Sequence, residues 1–329
     1  MMMELNVDAH LYCLGVYKER YVPGGYHEEM ALHEQLEAIS KAGGITGLNA
    51  TYPTHPLPDD PVRLAETLKG YGLRVSYMLV TNWLDGRFRN GAFSTNEHAT
   101  LRDSVGMCKR GIDFAKAAGA DSVLLWPAQD GFDYPFQISY GDAWKRLTET
   151  LTELAEHAGA FRLALEPKPK DPRQKSLINN TGTLLHLIRK IGRDNLGCAL
   201  DIGHAAAAQE SMAASLVQMD MEGRLFQVHL NDNYKDADPD LIMGTINLVE
   251  TLEMFYYLLQ TEYGGWCSID VILPRDDRVK ALGLSYRMIA RYKRMAERLL
   301  ESKAELLANM EGYRFADNAD LIFPLILGE

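Results

Sequence analysis

The stretches LALEPKPKDP (163–172) and ALDIGHA (199–205) decide the fold, because each starts as an apolar strand and ends in ionisable side chains. The same pattern returns in LFQVHLND, which carries His229, and in WCSIDVI, which carries Asp270. Ionisable groups do not suit a strand interior, but they do suit the carboxyl ends of parallel barrel strands. Four such strand ends in succession predict a divalent metal site at the mouth of a parallel barrel.

Short apolar runs alternate with longer amphipathic ones along the chain, which is typical of βαβ units in a parallel sheet. Strands are predicted near 9–14, 45–50, 73–80, 121–126, 161–166, 197–201, 224–229 and 266–271. The clearest helices are predicted over 27–43, 100–119, 142–159, 181–192 and 285–307. Eight strands, each followed by a helical stretch, predict a (β/α)8 TIM barrel rather than an open sheet.

We expect the barrel to occupy residues 1–295 and a C-terminal helical extension to occupy residues 296–329. The extension is expected to have an irregular end, and its apolar finish, LIFPLILG, needs cover once the barrel is complete. Two packing partners for these apolar side chains are considered: the chain's own surface and a neighbouring subunit. We favour the second, which predicts a homodimer or homotetramer.

Side-chain alternation predicts the direction in which the candidate ligands point, since residues two apart on a strand share a face. The opposite face is wholly apolar, as the helix-facing side of a barrel strand requires: Leu163, Leu165, Cys198, Leu200, Phe226, Val228, Cys267 and Ile269. The neighbours on the ligand face are small or polar: Ala164, Ala199, Gln227 and Ser268. The ligands are therefore expected to point into the barrel.

Composition and charge exclude several classes of protein. The 329 residues are 47% hydrophobic and carry a net charge of −11, which disfavours nucleic acid as a partner. No stretch reaches the roughly 18 apolar residues of a membrane span. The cysteines are far apart and form no CxxC pair: Cys13, Cys108, Cys198 and Cys267. These features predict a cytoplasmic protein without disulfides.

Three carboxylates and one imidazole form the first candidate metal site, from Glu166, Asp201, His229 and Asp270. Three inward carboxylates a few ångströms apart would repel by several kcal/mol at an effective dielectric near 20, and a cation removes that repulsion. Such a set suits one hard or borderline divalent ion.

A second candidate site surrounds His204, which lies one helical turn after Asp201. Asp238 and Asp240 in the loop NDNYKDADPDLIMG are the preferred partners, while the spacing leaves Asp232 and Asp236 open as rivals: all four are turn-forming residues. Asp201 would then bridge two cations.

Lys168 lies two residues beyond Glu166, between two prolines, and is expected to face the same mouth. Beside a metal cluster, its ammonium group would stabilise oxygen charge that develops in a transition state.

Together these segments resemble the xylose isomerase family of sugar isomerases. The resemblance rests on EPKPKDP, DIGHA and DADPDL, on TNWLDGRFRNGAFS, and on LLWPAQDG, so that it covers residues from about 80 to 295. An imidazole at His229, with Asp238 and Asp240, is more similar to the rhamnose isomerase branch than to xylose isomerase itself.

The resemblance implies aldose–ketose isomerisation of an open-chain monosaccharide by a hydride shift, with two cations per chain (Mn²⁺, Co²⁺ or Mg²⁺). It implies two ligand sets that share one aspartate: Glu166, Asp201, His229 and Asp270 for metal 1, and Asp201, His204, Asp238 and Asp240 for metal 2. The implied catalytic residues are Lys168, which would contact O1, Glu166 and Asp201. The implied substrate-binding residues are Lys168, Trp83, Phe93 and Trp126, the last as an apolar wall.

One segment departs from the family pattern. The second strand of xylose isomerase ends in FHDxD, whose His assists ring opening, but here the segment reads LNATYPTH. Asn49, Thr51 and Tyr52 occupy that region and His55 comes several residues late. No ring-opening His is assigned, and the sequence does not identify the sugar.

Three other functions compete with the isomerase. A ketose 3-epimerase of the same superfamily typically uses one metal and two glutamates, whereas the last strand here ends in Asp270. An endonuclease would want more His ligands and a basic groove, which the net charge disfavours. A sugar- or metal-binding module without turnover would not need Lys168.

Overall fold

The computed structural model describes residues 4–328, and its eight longer strands close into a parallel barrel. Around the barrel the strands follow the order β1-β10-β9-β8-β6-β4-β3-β2. Their bounds are β1 (Asn6–His10), β2 (Gly47–Tyr52), β3 (Arg74–Val80), β4 (Ser122–Leu125), β6 (Arg162–Leu165), β8 (Leu196–Asp201), β9 (Leu225–Leu230) and β10 (Trp266–Ile269). Two short strands, β5 (Gly131–Phe132) and β7 (Lys175–Ser176), pair antiparallel outside it. The predicted TIM barrel is confirmed.

Helices surround the barrel and continue beyond it. Their bounds are α1 (Leu32–Lys41), α2 (Pro61–Lys69), α3 (His98–Ala117), α4 (Tyr140–Ala158), α5 (Thr181–Ile191), α6 (Ile202–Ala207), α7 (Met212–Met221), α8 (Leu248–Leu258), α9 (Arg278–Glu301), α10 (Lys303–Glu311) and α11 (Phe315–Leu327). Among residues 4–328, none of these helices is both long and apolar enough to cross a bilayer. The main core lies between the strands and the helices.

The helix-facing side of the strands is as expected at seven of eight positions. All seven are buried in the main core: Leu163, Leu165, Cys198, Leu200, Val228, Cys267 and Ile269. The expectation is wrong for Phe226, which packs inside the barrel with Ala199. The pairing of β8 with β9 shifts from Cys198–Leu225 to Ala199–Gln227, so a β-bulge leaves Phe226 unpaired and turns its ring inward.

The first strand lies earlier than predicted. Residues 6–10 form β1, and the apolar run Leu11–Leu14, which the sequence placed in the strand, forms a 3-10 helix. The imidazole of His10 caps this turn, because its Nδ1 accepts a hydrogen bond from the Tyr12 N–H at 2.9 Å. His10 is therefore the last residue of a barrel strand.

The C-terminal extension is helical, and α9 runs without a break through the expected boundary at 295–296. The helix predicted over 285–307 is interrupted at Ser302, where α9 ends and α10 begins. The expected irregular end is wrong, since α11 forms with Pro324 inside it. Four apolar side chains of α11 pack on the chain's own core: Leu321, Ile322, Leu325 and Ile326. Phe315 and Leu327 stay exposed, and the subunit interface stays a prediction.

Candidate metal and substrate site

Four consecutive barrel strands bring the first candidate ligand set together. Glu166 follows β6, Asp201 ends β8, His229 lies in β9 and Asp270 follows β10. One ligand atom from each lies within 4.8 Å of every other, and the first three side chains are buried. The parallel register explains why these atoms lie close together. The four strands end at a similar height, so side chains that point inward from those ends meet at the barrel mouth. The spacing and the oxygen-rich donor set fit a divalent cation.

The ring of His229 is oriented by a side chain deeper in the barrel. Its Nε2 lies 3.2 Å from Gln227 Oε1, while its Nδ1 lies 3.2 Å from Glu166 Oε1. Gln227 donates its own amide N–H to Ser122 Oγ at 2.8 Å, so its oxygen is left to accept from the imidazole. This arrangement keeps the proton on Nε2 and directs the Nδ1 lone pair at the carboxylates, where a cation would bind.

The carboxylate of Asp201 is held by one hydrogen bond on each oxygen. Oδ1 accepts from the His204 N–H and Oδ2 accepts from Asn231 Nδ2, both at 2.8 Å. The first contact makes Asp201 the N-cap of α6, which explains why an Asp precedes a His by three residues. Each oxygen keeps a further lone pair, so the side chain can serve two cations.

The second candidate set lies beside the first. His204 Nδ1 lies 3.1 Å from the Pro167 carbonyl oxygen, which can only accept, so Nδ1 carries the proton and Nε2 faces Asp238 Oδ2 at 3.0 Å. Asp238 Oδ1 is buried without a partner among residues 4–328. Burial, together with Asp238 and Asp201, raises the pKa of Asp240 well above its ordinary value. The unpartnered Asp238 Oδ1 and the repulsion at Asp240 fit a second cation.

The rival aspartates have other places. Asp232 accepts hydrogen bonds from the backbone N–H groups of Asn233, Ile246 and Asn247 and from the Asn247 side chain, so it organises the loop after β9. Asp236 is exposed. Among the four loop aspartates, the structure brings Asp238 and Asp240 to the cavity.

Lys168 reaches into the second set. Its Nζ lies 2.8 Å from Asp238 Oδ2, 3.3 Å from Asp171 Oδ2 and 4.9 Å from the centroid of the Trp126 ring. Burial lowers the pKa of Lys168, but Asp238 and Asp171 outweigh it and raise the pKa above its ordinary value. The buried ammonium group therefore stays charged beside the ligands.

Both candidate sets, apart from the buried Asp201, line one cavity of about 440 Å³. Trp83 and Trp126 line it and meet edge to face, with ring centroids 4.8 Å apart. Phe93 does not line it: this side chain is fully buried in the core. Asp130 explains the difference, because it accepts hydrogen bonds from the Phe93 and Ser94 N–H groups and draws the segment away from the cavity.

Several site residues were missed in the sequence, chiefly on β1 and β2. His10, Tyr12 and Asn49 line the cavity, and the Tyr12 hydroxyl hydrogen bonds to the Asp270 carboxylate. Burial and the nearby Asp8 raise the pKa of Asp270 to about 7. An ionisable residue at a strand end was the available signal for His10, but the strand was placed three residues too late.

Known proteins share this architecture. Xylose isomerase of Thermus thermophilus is 25% identical over 209 residues, 62% of this chain and 54% of that protein, so the match spans about half of the relative's length. A structure of L-ribulose 3-epimerase superposes with a TM-score of 0.71 at 19% identity, covering 92% of this chain and 98% of that one. D-allulose 3-epimerase from Methylomonas sp., bound to D-allulose, gives 0.66 at 16% identity, with coverage of 88% and 97%.

A zinc-bound structure shares the fold as well. The IOLI protein with a bound zinc atom superposes with a TM-score of 0.66 at 17% identity, covering 88% of this chain and 98% of that one. The model of the xylose isomerase-like TIM barrel family matches residues 36–292. This match covers most of the chain, which therefore belongs to the xylose isomerase-like TIM barrel family.

Proposed function

We propose that the protein is a divalent-metal-dependent aldose–ketose isomerase that acts on an open-chain monosaccharide. The observation that carries this proposal is the second ligand set beside the first, with Lys168 paired to Asp238 at 2.8 Å. A one-metal epimerase needs only the first set. The curated xylose isomerase relative and the fold support a sugar substrate.

The proposed ligands divide into the two sets described above and share Asp201. Glu166, His229 and Asp270 would hold the first cation, and His204, Asp238 and Asp240 the second. Mn²⁺, Co²⁺ or Mg²⁺ suits this mixture of carboxylates and imidazoles. When bound, the cations would act as Lewis acids on the oxygens of the sugar.

The chain's own groups then act on the substrate. In the isomerisation, hydrogen moves with its electron pair from C2 to C1, the O2 proton leaves and O1 gains a proton, so the formula is unchanged. Negative charge develops on O1, where the Lys168 ammonium would stabilise it. Trp83 and Trp126 would cover the apolar face of the sugar and keep water from the reacting carbons.

A ketose 3-epimerase is the second candidate. Solved 3-epimerases share the fold of this chain, and this shared fold is the support for that activity. Such an enzyme must place carboxylates on both faces of the sugar. Here Asp270 has a short side chain whose carboxylate is hydrogen bonded to Tyr12, which holds it at the ligand position. A binding module without turnover is the third candidate, and the buried, charged Lys168 disfavours it.

Product identity tests the proposal. The Mn²⁺-loaded protein would be incubated with D-xylose, L-rhamnose, L-ribulose, D-tagatose and D-allulose, and the products followed by NMR, with excess chelator as the control. We expect an aldose and its matching ketose to interconvert. Interconversion of two ketoses alone would show the epimerase instead, and no conversion of any sugar would favour the binding module.

Metal stoichiometry separates the one-metal and two-metal mechanisms. Asp240→Ala should leave one cation per chain and remove most turnover, while Asp236→Ala, an exposed residue of the same loop, should keep both. Elemental analysis after dialysis gives the count. One cation in the wild type would contradict the two-metal mechanism.

A further inference from the structure

A donor and an acceptor lie side by side where the end of β1 pairs with the middle of β2. His10 and Asn49 are partners in the parallel register of these strands, and both line the cavity. Neither belongs to the candidate ligand sets. The site described above therefore leaves two buried polar side chains unused.

His10 presents an N–H group to the cavity. Its Nδ1 accepts the Tyr12 N–H at 2.9 Å, which requires a lone pair there and leaves the proton on Nε2. Nε2 has no partner among residues 4–328 and is not one of their fully buried unpaired atoms, so it opens into the cavity. Burial lowers the pKa of His10 to about 3, which keeps the ring neutral.

Asn49 presents the matching acceptor. Its Nδ2 donates to Asp8 Oδ1 at 3.1 Å, so the amide oxygen is the atom left for the cavity. The amide oxygen is left without a partner in the described part of the chain and is not fully buried. A hydroxyl group both donates and accepts, so one hydroxyl can satisfy both side chains.

The position of this pair shows which part of a ligand it would meet. In the eight-strand barrel β1 lies four places from β6, so His10 faces the cavity from across the barrel relative to Lys168. A sugar whose reacting end lies near Lys168 extends its remaining hydroxyls past the first ligand set towards β1, which pairs with β10 beside Asp270, and towards β2.

We propose that His10 and Asn49 form a hydroxyl-binding subsite that selects the sugar by a hydroxyl remote from the reacting carbons. The subsite rests on the proposed function for its substrate class. It acts through binding, and it takes no part in the transfer between C1 and C2. A buried donor and acceptor left without a partner are costly, so a sugar without that hydroxyl should be rejected.

Two substitutions at one position separate the subsite from the turn that His10 caps. His10→Asn keeps an oxygen that can accept from the Tyr12 N–H, but its shorter amide places no N–H at the position of Nε2. His10→Gln places an amide N–H near the position of Nε2 and gives up the cap. The probes are xylitol, sorbitol and L-rhamnitol, which resemble open-chain sugars but cannot isomerise, titrated into Mn²⁺-loaded protein with tryptophan fluorescence as the signal.

We expect His10→Asn to raise the dissociation constant of the best polyol by about tenfold to a hundredfold, and His10→Gln to raise it by less than about threefold. The wild type should bind a polyol lacking the contacted hydroxyl as weakly as His10→Asn binds the full one. Equal affinity of His10→Asn and wild type for every polyol, or no polyol binding by the wild type, would overturn the subsite. Polyol binding without turnover would instead count against the proposed isomerase alone.

Discussion

The two sides of the barrel mouth differ in kind. The strands β6, β8, β9 and β10 carry, at or near their ends, charged or ligating groups with atoms within 4.8 Å of one another: Glu166, Asp201, His229 and Asp270. The strands β1 to β4 and their ends present neutral and aromatic groups to the same cavity: His10, Asn49, Leu79, Trp83, Leu124 and Trp126. We propose that the charged side performs the chemistry and that the neutral side recognises the substrate.

Removal of the cations should have the largest effect, because it disables the charged side alone. Dialysis against a chelator is expected to reduce turnover by about a thousandfold or more, since Lewis-acid stabilisation contributes several kcal/mol. Added Mn²⁺, Co²⁺ or Mg²⁺ should restore it. Initial rates on the best sugar provide the measurement. Undiminished rates in excess chelator would contradict a metal-dependent reaction on the charged side.

Lys168→Met tests whether the charged side contains an electrophile as well as ligands. We expect turnover to fall by about a hundredfold to a thousandfold with the metal content unchanged, as for loss of a group that stabilises an oxyanion. Lys175→Met is the matched control, because Lys175 is exposed in β7, in the same segment after β6. If the two variants turn over at equal rates, Lys168 has no part in the reaction.

A smaller effect is expected from a substitution deeper in the barrel, at a residue that contacts a candidate ligand. Gln227→Met removes the oxygen that lies 3.2 Å from His229 Nε2, which leaves beside that nitrogen the Tyr77 hydroxyl at 3.3 Å, a group that can donate as well as accept. Mn²⁺ affinity should fall by about tenfold to a hundredfold, as for other partners of metal-binding imidazoles. Gln227→Glu keeps an acceptor and should recover most of the affinity. Calorimetric titration of the metal-free protein decides, and unchanged affinity in Gln227→Met would remove Gln227 from this role.

The charged side could be predicted from the sequence because an ionisable residue at the end of an apolar strand is conspicuous. Glu166, Asp201, His229 and Asp270 lie together as that pattern predicts. The neutral side offers no such contrast. Trp83 and Trp126 were identified only through the family resemblance, and the same resemblance placed Phe93 at the cavity although its segment is drawn towards Asp130.

The errors on the neutral side have local physical causes. The apolar run that follows His10 looks like a strand, yet it turns because the imidazole caps the N–H group of Tyr12. Phe226 has the spacing of a helix-facing residue, but a bulge turns it inward. The loop aspartates cannot be told apart by residue type or spacing. Only the fold distinguishes Asp232, which holds the loop, from Asp238, which faces His204. Spacing along the chain contains none of this information.

Isotope transfer distinguishes a hydride shift from a proton transfer at the reacting carbons. An aldose that the protein converts would be labelled with deuterium at C2, incubated in ordinary water with the Mn²⁺-loaded protein, and examined by NMR after partial conversion. A hydride shift between neighbouring carbons predicts that the deuterium reappears at C1 of the ketose. Loss of the label to water would show that the hydrogen moves as a proton, and that result would contradict the isomerase mechanism proposed for the charged side.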